Sequence, residues 1–306
     1  MKKSLYLLLP FSFFLMATTS FSQDTLRRAR ASSDEQRRAT DADSKVNVGD
    51  ERIRRERTNQ GLPSIKLSKS DSERVKEMRK VDPADITAYS GFLKNGKTGI
   101  LKLFVNRDDC FAAKTMRVDG DCVGFIPLSS YFSFRTKQYS DAWSQDIGFV
   151  ADELSSGGFF SQGIFVSLGN LPLEEITLDQ PAVRYLADLP PEKDVSAARE
   201  TAAKLREGLQ AGGATYASNA IVLKDNTYAL RLIAYKFGNS LSLSEQATSV
   251  GLLFQDLDLD KRVDLIVGLR VIRLDDGNAT IVWKELSRKD APKLKFAKGE
   301  PLGDFK

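Results

Sequence analysis

The segment Gly91-Phe-Leu-Lys-Asn-Gly96-Lys97-Thr98 matches the phosphate-binding pattern G-x-x-x-x-G-K-[ST] letter for letter. In a P-loop, backbone amides surround the β-phosphate, the lysine contacts the β- and γ-oxygens, and the hydroxyl binds Mg²⁺. That chemistry requires a strand before the loop and a helix after it. Here the sequence predicts a helix before Gly91 and a strand from Gly99. It therefore favours a glycine-containing turn and leaves nucleotide binding as a remote alternative.

None of the 306 residues is histidine, which excludes Ser-His-Asp and Cys-His nucleophilic catalysis and every metal site that needs imidazole. Without histidine, two carboxylates can hydrolyse a glycosidic bond, and a Ser-Lys pair can transfer an acyl group. Acidic residues are plentiful, but no local spacing marks a catalytic pair. The sequence therefore favours a non-catalytic protein and keeps a carboxylate-dependent, glycan-directed hydrolase as the alternative. The acidic candidates are Asp146, Asp152, Glu153, Glu174, Glu175 and Asp179.

Cys110 and Cys122 are the only two cysteines in the chain. We predict a disulfide between them, because export would place both thiols in an oxidising compartment. A metal site is the weaker alternative, since no further ligands accompany the pair.

The acidic run Asp256–Asp260, followed by Asp264, offers the carboxylate oxygens that Ca²⁺ prefers. The spacing does not fit an EF-hand, because Lys261 stands where that loop needs glycine and Val267 where it needs glutamate. We therefore predict an edge strand with solvated carboxylates, and no bound metal or cofactor.

Residues 130–139 are the best candidate for a ligand-binding surface, and we predict that they form a strand. Successive side chains of a strand point to opposite faces, so Phe132 and Phe134 are expected to face the core. The opposite face combines phenol rings with cations, a mixture that can stack on a sugar ring or hold an anionic group. An ordinary solvated sheet face is the alternative, because long cationic side chains often cover exposed strands. The candidate binding residues are Tyr131, Arg135, Lys137 and Tyr139.

The elements that must position these residues change in type along the chain. Helix signals occur near residues 70–93 and 193–210, and short runs rich in aromatic and β-branched residues occur elsewhere, separated by Gly, Asn and Asp turns. Residues 220–235 and 263–286 each predict a hairpin, the second with an Asp-Gly turn. The pattern predicts a mainly β (α+β) fold, an antiparallel sandwich or curved sheet with a few peripheral helices.

The chain begins with the pattern of an export signal. Residues 1–22 contain two lysines, then an apolar stretch interrupted by Pro10, then small polar residues, which is the order of a secretory signal cleaved near Ser22. The apolar stretch is shorter than the ~20 residues that span a bilayer, which disfavours a membrane anchor. We expect the mature chain to start at Gln23 and to be periplasmic or extracellular.

Three parts are predicted behind the signal. Residues 23–62 interleave acidic and basic side chains with few large apolar ones, which predicts a disordered charged linker. Residues 63–290 form the predicted single β-rich domain, and residues 291–306 a flexible tail. The net charge of +4 gives no strong field for nucleic acid, and no later apolar run is long enough to cross a membrane.

Several short motifs occur together over residues 85–286. They are Tyr89-Ser-Gly-Phe-Leu93 with Thr98-Gly99-Ile100, Tyr131-Phe-Ser-Phe134, Ile164-Phe-Val-Ser-Leu-Gly169 running into Leu171-Pro-Leu-Glu174, Tyr228-Ala-Leu-Arg231, and Val263-Asp-Leu-Ile-Val267 through Trp283-Lys284. The set resembles a group of exported bacterial proteins with no assigned activity. The resemblance implies export and a single β-rich domain, and it implies no catalytic residue.

Taken together, these patterns predict an exported binding module or cell-envelope interaction module. Its expected partner is a polysaccharide or protein of the envelope, with no nucleic acid and no transmembrane segment in the mature chain.

Overall fold

Two antiparallel sheets face each other in the computed structural model, and helices cover the outer side of the larger sheet. The structure describes residues 69–106, 111–112, 115–116, 129–140, 144–237, 261–275, 277–297 and 305. The chain divides into two units, Met1–Pro63 and Ser64–Lys306, and every described residue belongs to the second. The predicted signal, linker, Cys110–Cys122 disulfide and acidic run 256–260 therefore lie outside the described residues.

The described helices are short, and none of them is long and apolar enough to cross a membrane. They are α1 (Lys69–Met78), α2 (Pro83–Ala88), α3 (Pro181–Asp188) and α4 (Val195–Glu207), with 3₁₀ turns at Phe92–Lys94 and Leu173–Glu175. The described strands are, in chain order, β1 (Thr98–Phe104), β2 (Phe111–Ala112), β3 (Thr115–Met116), β4 (Tyr131–Ser133), β5 (Gln138–Tyr139), β6 (Ile147–Val150), β7 (Glu153–Ser156), β8 (Ser161–Gly169), β9 (Leu209–Ala211), β10 (Ala214–Ala217), β11 (Asn219–Ile221), β12 (Thr227–Ala234), β13 (Lys236–Phe237), β14 (Val263–Asp275), β15 (Asn278–Asp290) and β16 (Lys293–Leu294).

Local sequence signals explain the helix boundaries. Asp82 caps α2 by accepting a hydrogen bond from the backbone of the first turn at 2.8 Å, and Pro83 occupies the first helical position, where no N–H is needed. Asp194 caps α4 in the same way, at 2.8 Å. Gly208 ends α4 with a φ of 92°, a conformation that glycine adopts without steric penalty.

The larger sheet has seven strands in the order β1-β15-β14-β12-β8-β10-β9. All neighbouring pairs are antiparallel. The predicted β14–β15 hairpin is confirmed, with Asp275 opposite Asn278 and Gly277 at a φ of 75°. β12 lies at the centre, between β14 and β8, and all of its residues are buried. Such a strand must be covered on both faces of its sheet.

The first core lies between the larger sheet and a five-stranded sheet of order β11-β7-β6-β4-β5. It contains Leu230, Val267 and Ile281 from the larger sheet and Phe132 and Phe149 from the smaller one. The second core lies on the other face of the larger sheet, where the helices and the second 3₁₀ turn pack. The predicted fold class is therefore confirmed: the protein is mainly β, with antiparallel sheets in a sandwich and a few peripheral helices.

The prediction that residues 220–235 form a hairpin is wrong. β11 pairs with β7 in the smaller sheet, whereas β12 pairs with β14 and β8 in the larger sheet. The intervening residues connect the two sheets, and Val222 is buried between them. Alternation shows that each segment is a strand, but it does not show which strand becomes its neighbour, and both sides of β12 are occupied by other partners.

The end of the chain also differs from the sequence prediction, which placed a flexible tail from residue 291. β16 pairs in parallel with β13, and Leu294 and Phe305 are buried in a third core with Phe160 and Val195. These segments pack because burying their leucine and phenylalanine side chains removes apolar area from water.

A buried arginine joins the helix layer to the larger sheet. Arg231 on β12 is 2% exposed and donates from Nε and Nη2 to the two carboxylate oxygens of Asp264 on β14, at 2.9 and 2.6 Å. Its Nη1 donates to the backbone oxygens of Leu186 and Leu189 at the end of α3, at 2.5 and 2.6 Å. The guanidinium thus satisfies carbonyls that the helix itself cannot satisfy and holds α3 against the sheet.

We expect Arg231→Met to lower the free energy of unfolding by about 3–5 kcal/mol, because Asp264 is left buried without its cation. The double variant Arg231→Met/Asp264→Leu should recover part of that loss, since both charges are then absent. Urea denaturation followed by circular dichroism measures both. The control is Arg184→Met: its ion pair with Asp179 has side chains 57% and 86% exposed, and its loss should change stability by less than about 1 kcal/mol. Equal effects of Arg231→Met and Arg184→Met would contradict the assigned role.

Candidate functional site

The edge strands of the two sheets border a surface groove with a volume of about 390 Å³. β1 is an edge of the seven-stranded sheet, and β5 is an edge of the five-stranded sheet. Two of the four predicted binding residues, Lys137 and Tyr139, lie in this groove. Its described lining residues are Arg79, Val81, Thr98, Gly99, Ile100, Leu101, Phe132, Lys137, Gln138, Tyr139 and Trp283.

The segment predicted as one strand over residues 130–139 is instead the hairpin β4–β5, with a turn at residues 134–137. Phe132 lies opposite Tyr139 in this hairpin, and paired residues share a face. The Tyr139 ring therefore packs beside Phe132, with 5.6 Å between ring centres, and not on the opposite face. The prediction that Phe132 and Phe134 face the core is confirmed, since both are buried in the first core. The alternation fails after Phe134, because Lys137 adopts a φ of 59° and the chain reverses.

A buried carboxylate organises that turn. Asp146 accepts hydrogen bonds from Ser133 Oγ at 3.1 Å, from the Arg135 backbone N–H at 2.9 Å and from Arg135 Nε at 2.6 Å. Both side chains of the Arg135–Asp146 ion pair are fully buried. Burial raises the pKa of Asp146 above its ordinary value, while the charge and hydrogen bonds of Arg135 act in the opposite direction. Arg135, predicted to face a ligand, is therefore placed inside the protein, where it shapes the hairpin.

Tyr131 also lies outside the described lining of the groove. It is opposite Gly148 on β6, and a Cβ built on that glycine would lie 2.7 Å from Tyr131 Cδ1. The ring therefore covers Gly148 on the face of the smaller sheet that is opposite to Phe132. The structure brings Lys137 and Tyr139 together and places Tyr131 and Arg135 elsewhere.

Tyr139 and Arg79 form one part of the groove. Tyr139 Oη donates to the backbone oxygen of Lys102 at 2.7 Å, which ties the β4–β5 hairpin to β1. Arg79 Cζ lies 3.9 Å from the centre of the Tyr139 ring, and Arg79 Nε donates to Ser129 Oγ at 2.8 Å. Burial raises the pKa of Tyr139 and lowers the pKa of Arg79. Near neutral pH Tyr139 is therefore a neutral phenol beside the Arg79 guanidinium.

Trp283 and Lys137 form a second part. A Cβ at Gly99 of the neighbouring strand would lie 2.7 Å from three atoms of the Trp283 indole, so glycine is required for the indole to lie across β1. Phe134 packs edge-on against the indole, with 5.2 Å between ring centres. Lys137 Nζ donates to the backbone oxygen of Gly96 at 2.6 Å and lies 5.8 Å from the indole centre.

The P-loop-like segment borders the groove through Thr98, but its hydrogen-bond donors serve the turn itself. The backbone N–H groups of Asn95, Lys97 and Thr98 donate to Phe92 O, Asn95 Oδ1 and Asn95 O, at 3.3, 3.0 and 3.0 Å. Thr98 Oγ1 donates to Asn95 O at 2.6 Å. β1 follows the turn directly, as the sequence predicts, so this segment lacks the helix N-terminus that binds phosphate in a P-loop.

The six acidic residues that the sequence offers as candidates for glycoside hydrolysis do not lie together in the groove. None of its described lining residues is acidic. Asp264, the last residue of the calcium-like pattern, is paired with Arg231 in the interior. Across the described ranges, no group of three or more Asp, Glu or Cys residues is arranged to hold a metal ion.

Three contributors to the groove were not predicted from the sequence: Arg79, Gly99 and Trp283. Gly99 and Trp283 both fall in the short motifs that carry the resemblance to exported bacterial proteins, and that is the sequence signal that marks them. Their contact depends on the register of β1 with β15, in which they are paired, and no local pattern specifies that register.

No family model, curated protein or solved structure matches this chain.

We expect Gly99→Ala to displace the Trp283 indole and to destabilise the protein by about 1–3 kcal/mol, the usual effect of overpacking. Tryptophan emission and thermal unfolding measure the two effects. Because the chain has two tryptophans, both proteins should carry Trp143→Phe, a change outside the described residues. Gly91→Ala is the control, since a Cβ there meets nothing within 4 Å. An unchanged emission maximum and melting temperature in Gly99→Ala would contradict this packing.

We also expect the segment 91–98 to bind neither Mg-ATP nor Mg-GTP, because its amides already donate within the turn. Isothermal titration calorimetry tests this prediction. A micromolar site that disappears in Lys97→Ala would overturn it.

Proposed function

We propose that this protein is an exported, non-catalytic binding module that holds a polysaccharide of the cell envelope in the groove between β1 and β5. One observation carries the proposal: the groove combines two aromatic rings, Tyr139 and Trp283, with two cations, Arg79 and Lys137. Aromatic rings pack against the C–H face of a sugar, and cations bind hydroxyl and anionic groups. Support for export comes from the order of charge, apolar stretch and small residues in segment 1–22.

The rings of the groove are held in place without a ligand. Tyr139 is fixed by its hydrogen bond to Lys102, and Trp283 is held between Gly99 and Phe134. Trp283 is only 3% exposed, so it forms part of the floor of the groove. A preorganised floor favours binding because little conformational entropy is lost when the ligand arrives.

The same lining favours binding over the hydrolase alternative. Glycoside hydrolysis by paired carboxylates needs one carboxyl group as acid and a second as base or nucleophile, both beside the sugar. No described lining residue of the groove is acidic, and the chain contains no histidine to take either role. The described lining therefore offers groups that can hold a sugar and no pair of carboxylates that could cleave it.

We expect the mature chain to be retained by insoluble peptidoglycan or polysaccharide in a sedimentation assay, and Lys137→Asn to weaken retention roughly tenfold. That factor corresponds to the loss of one charged hydrogen bond, about 1.5 kcal/mol. Asparagine tolerates the positive φ of residue 137, so the hairpin should keep its fold, which circular dichroism verifies.

The matched control is Lys224→Asn, which removes an exposed lysine of the β11–β12 connection that is not among the described lining residues. It should bind like the unmodified chain. Failure of the unmodified chain to bind any of these polymers, or equal losses in the two variants, would overturn the proposal.

A further inference from the structure

β1 has an open edge, because it pairs with β15 on one side and with no other strand of the larger sheet. The backbone N–H and C=O of one strand residue point to the same side of the strand. The Glu285 N–H donates to Lys97 O, and the Val105 N–H donates to Gly277 O, so the odd-numbered residues along β1 pair with β15. The even-numbered residues therefore direct their backbone groups towards the open edge. They are Thr98, Ile100, Lys102 and Phe104.

Three of these four residues have outward groups that are already hydrogen-bonded within the protein. The N–H groups of Thr98 and Phe104 donate to the backbone oxygens of Asn95 and Ser129, at 3.0 and 3.1 Å. At Lys102, the hydroxyl of the β5 tyrosine donates to the backbone oxygen at 2.7 Å and accepts from the N–H at 3.4 Å. Such contacts keep an edge strand from pairing with another chain.

Ile100 is the exception on this edge. Across the described part of the chain, its backbone N–H and C=O have no hydrogen-bond partner, and Ile100 belongs to the lining of the groove. The edge is thus covered at Thr98 and Lys102 and uncovered at the residue between them, where the groove lies. A donor and an acceptor that point in one direction from a strand edge match one residue of an extended peptide.

A sugar without a peptide matches these two groups less well. An acetamido group contains one trans amide, whose N–H and C=O point in opposite directions, so it can pair with only one group of Ile100. A peptide residue lies between two amides and presents both groups on one side. The groove volume of about 390 Å³ is near the lower end of the range for small-ligand pockets, about 300–1,000 Å³, so the peptide must be short.

Lys137 adds a charge to the same groove. Its ammonium lies 5.8 Å from the centre of the Trp283 indole, and Trp283 is opposite Gly99, the neighbour of Ile100 on β1. Among the described residues, no carboxylate forms an ion pair with Lys137, whose ammonium donates to the backbone oxygen of Gly96. A peptide paired with Ile100 therefore has a cation beside it that can donate to a peptide carboxylate.

We propose that the groove binds a glycan that carries a short peptide, and that the peptide adds to the open edge of β1. One peptide residue exchanges two backbone hydrogen bonds with Ile100, and a peptide carboxylate accepts a hydrogen bond from Lys137. This inference rests on the proposed function, because it specifies which class of polysaccharide the same groove holds. Since the two bonds to β1 involve only backbone groups, binding depends on the presence of the peptide more than on its side chains.

Calorimetric titration of the mature chain with two probes tests the inference: a peptidoglycan disaccharide that bears its tetrapeptide, and the same disaccharide without the peptide. We expect the peptide-bearing probe to bind more tightly by roughly tenfold or more, the effect of two neutral hydrogen bonds. Ile100→Pro removes the outward N–H at a position where an edge strand tolerates proline, and it should remove most of the preference. The matched control is Ile100→Val, which keeps the N–H and should keep the preference.

Amide hydrogen exchange followed by NMR tests the same contact in the unmodified chain, whether or not Ile100→Pro folds. The Ile100 amide should exchange roughly tenfold more slowly when the peptide-bearing probe saturates the protein, because it then donates to the peptide. The control is the Asn219 amide on β11, the edge strand of the smaller sheet. The Ser156 N–H donates to Ser218 O, so the next residue, Asn219, directs its backbone groups away from β7. Its exchange rate should not change.

Equal binding of the two probes would overturn the inference and leave the proposed function intact, and so would an Ile100 amide whose exchange is unchanged by the bound probe. An undiminished preference in a folded Ile100→Pro variant would show that the peptide pairs elsewhere, which also overturns the inference. Binding of neither probe by a chain that is still retained on peptidoglycan or polysaccharide would overturn the inference alone. Absence of both retention and probe binding would overturn the inference and the proposed function together.

Discussion

The buried carboxylate of Asp146 is the interaction on which the groove depends. It accepts three hydrogen bonds from Ser133 and Arg135, and a buried charge of this kind is stable only when it is paired and hydrogen-bonded. Straightening the hairpin would leave both charges buried without their partners. The turn is therefore held closed, and it presents Lys137 and Tyr139 at the edge of the smaller sheet. The position of the candidate binding residues is thus determined by an ion pair that is fully buried.

The groove lies at a sheet edge because the faces of the larger sheet are occupied. The smaller sheet covers one face and the helices cover the other, and Arg231 anchors α3 to the central strand through two hydrogen bonds to backbone oxygens at the end of that helix. β1 is an edge strand, and an edge with unpaired backbone groups can pair with another chain. The hydroxyl of Tyr139 donates a hydrogen bond to the backbone oxygen of Lys102 on that edge, so this oxygen is no longer free to pair with another strand. The same side chain therefore protects the edge and forms part of the proposed site.

Much of the architecture could be predicted from the sequence. Alternation of apolar residues and the Asp-Gly turn at Gly277 predicted the β14–β15 hairpin, and the capping residues Asp82 and Asp194 mark helices that the structure contains. These signals are local: a cap, a turn or a strand face depends on residues a few positions apart. The same signals predicted the fold class. They named Lys137 and Tyr139 as candidates only through an alternation that the β4–β5 hairpin contradicts, so the position of these two residues in the groove was not predicted.

Only the tertiary structure decided which residues meet. The sequence does not distinguish Arg135, which is buried against Asp146, from Arg79, which lies over the Tyr139 ring. It also does not show that β11 pairs with β7 in the smaller sheet and not with β12, or that Gly99 lies beside the Trp283 indole. A local pattern reports whether a side chain favours burial, but its partner is selected by strand register and charge compensation between segments far apart in the chain. For this protein, the sequence alone determined the elements and the class of fold, and long-range pairing determined the groove.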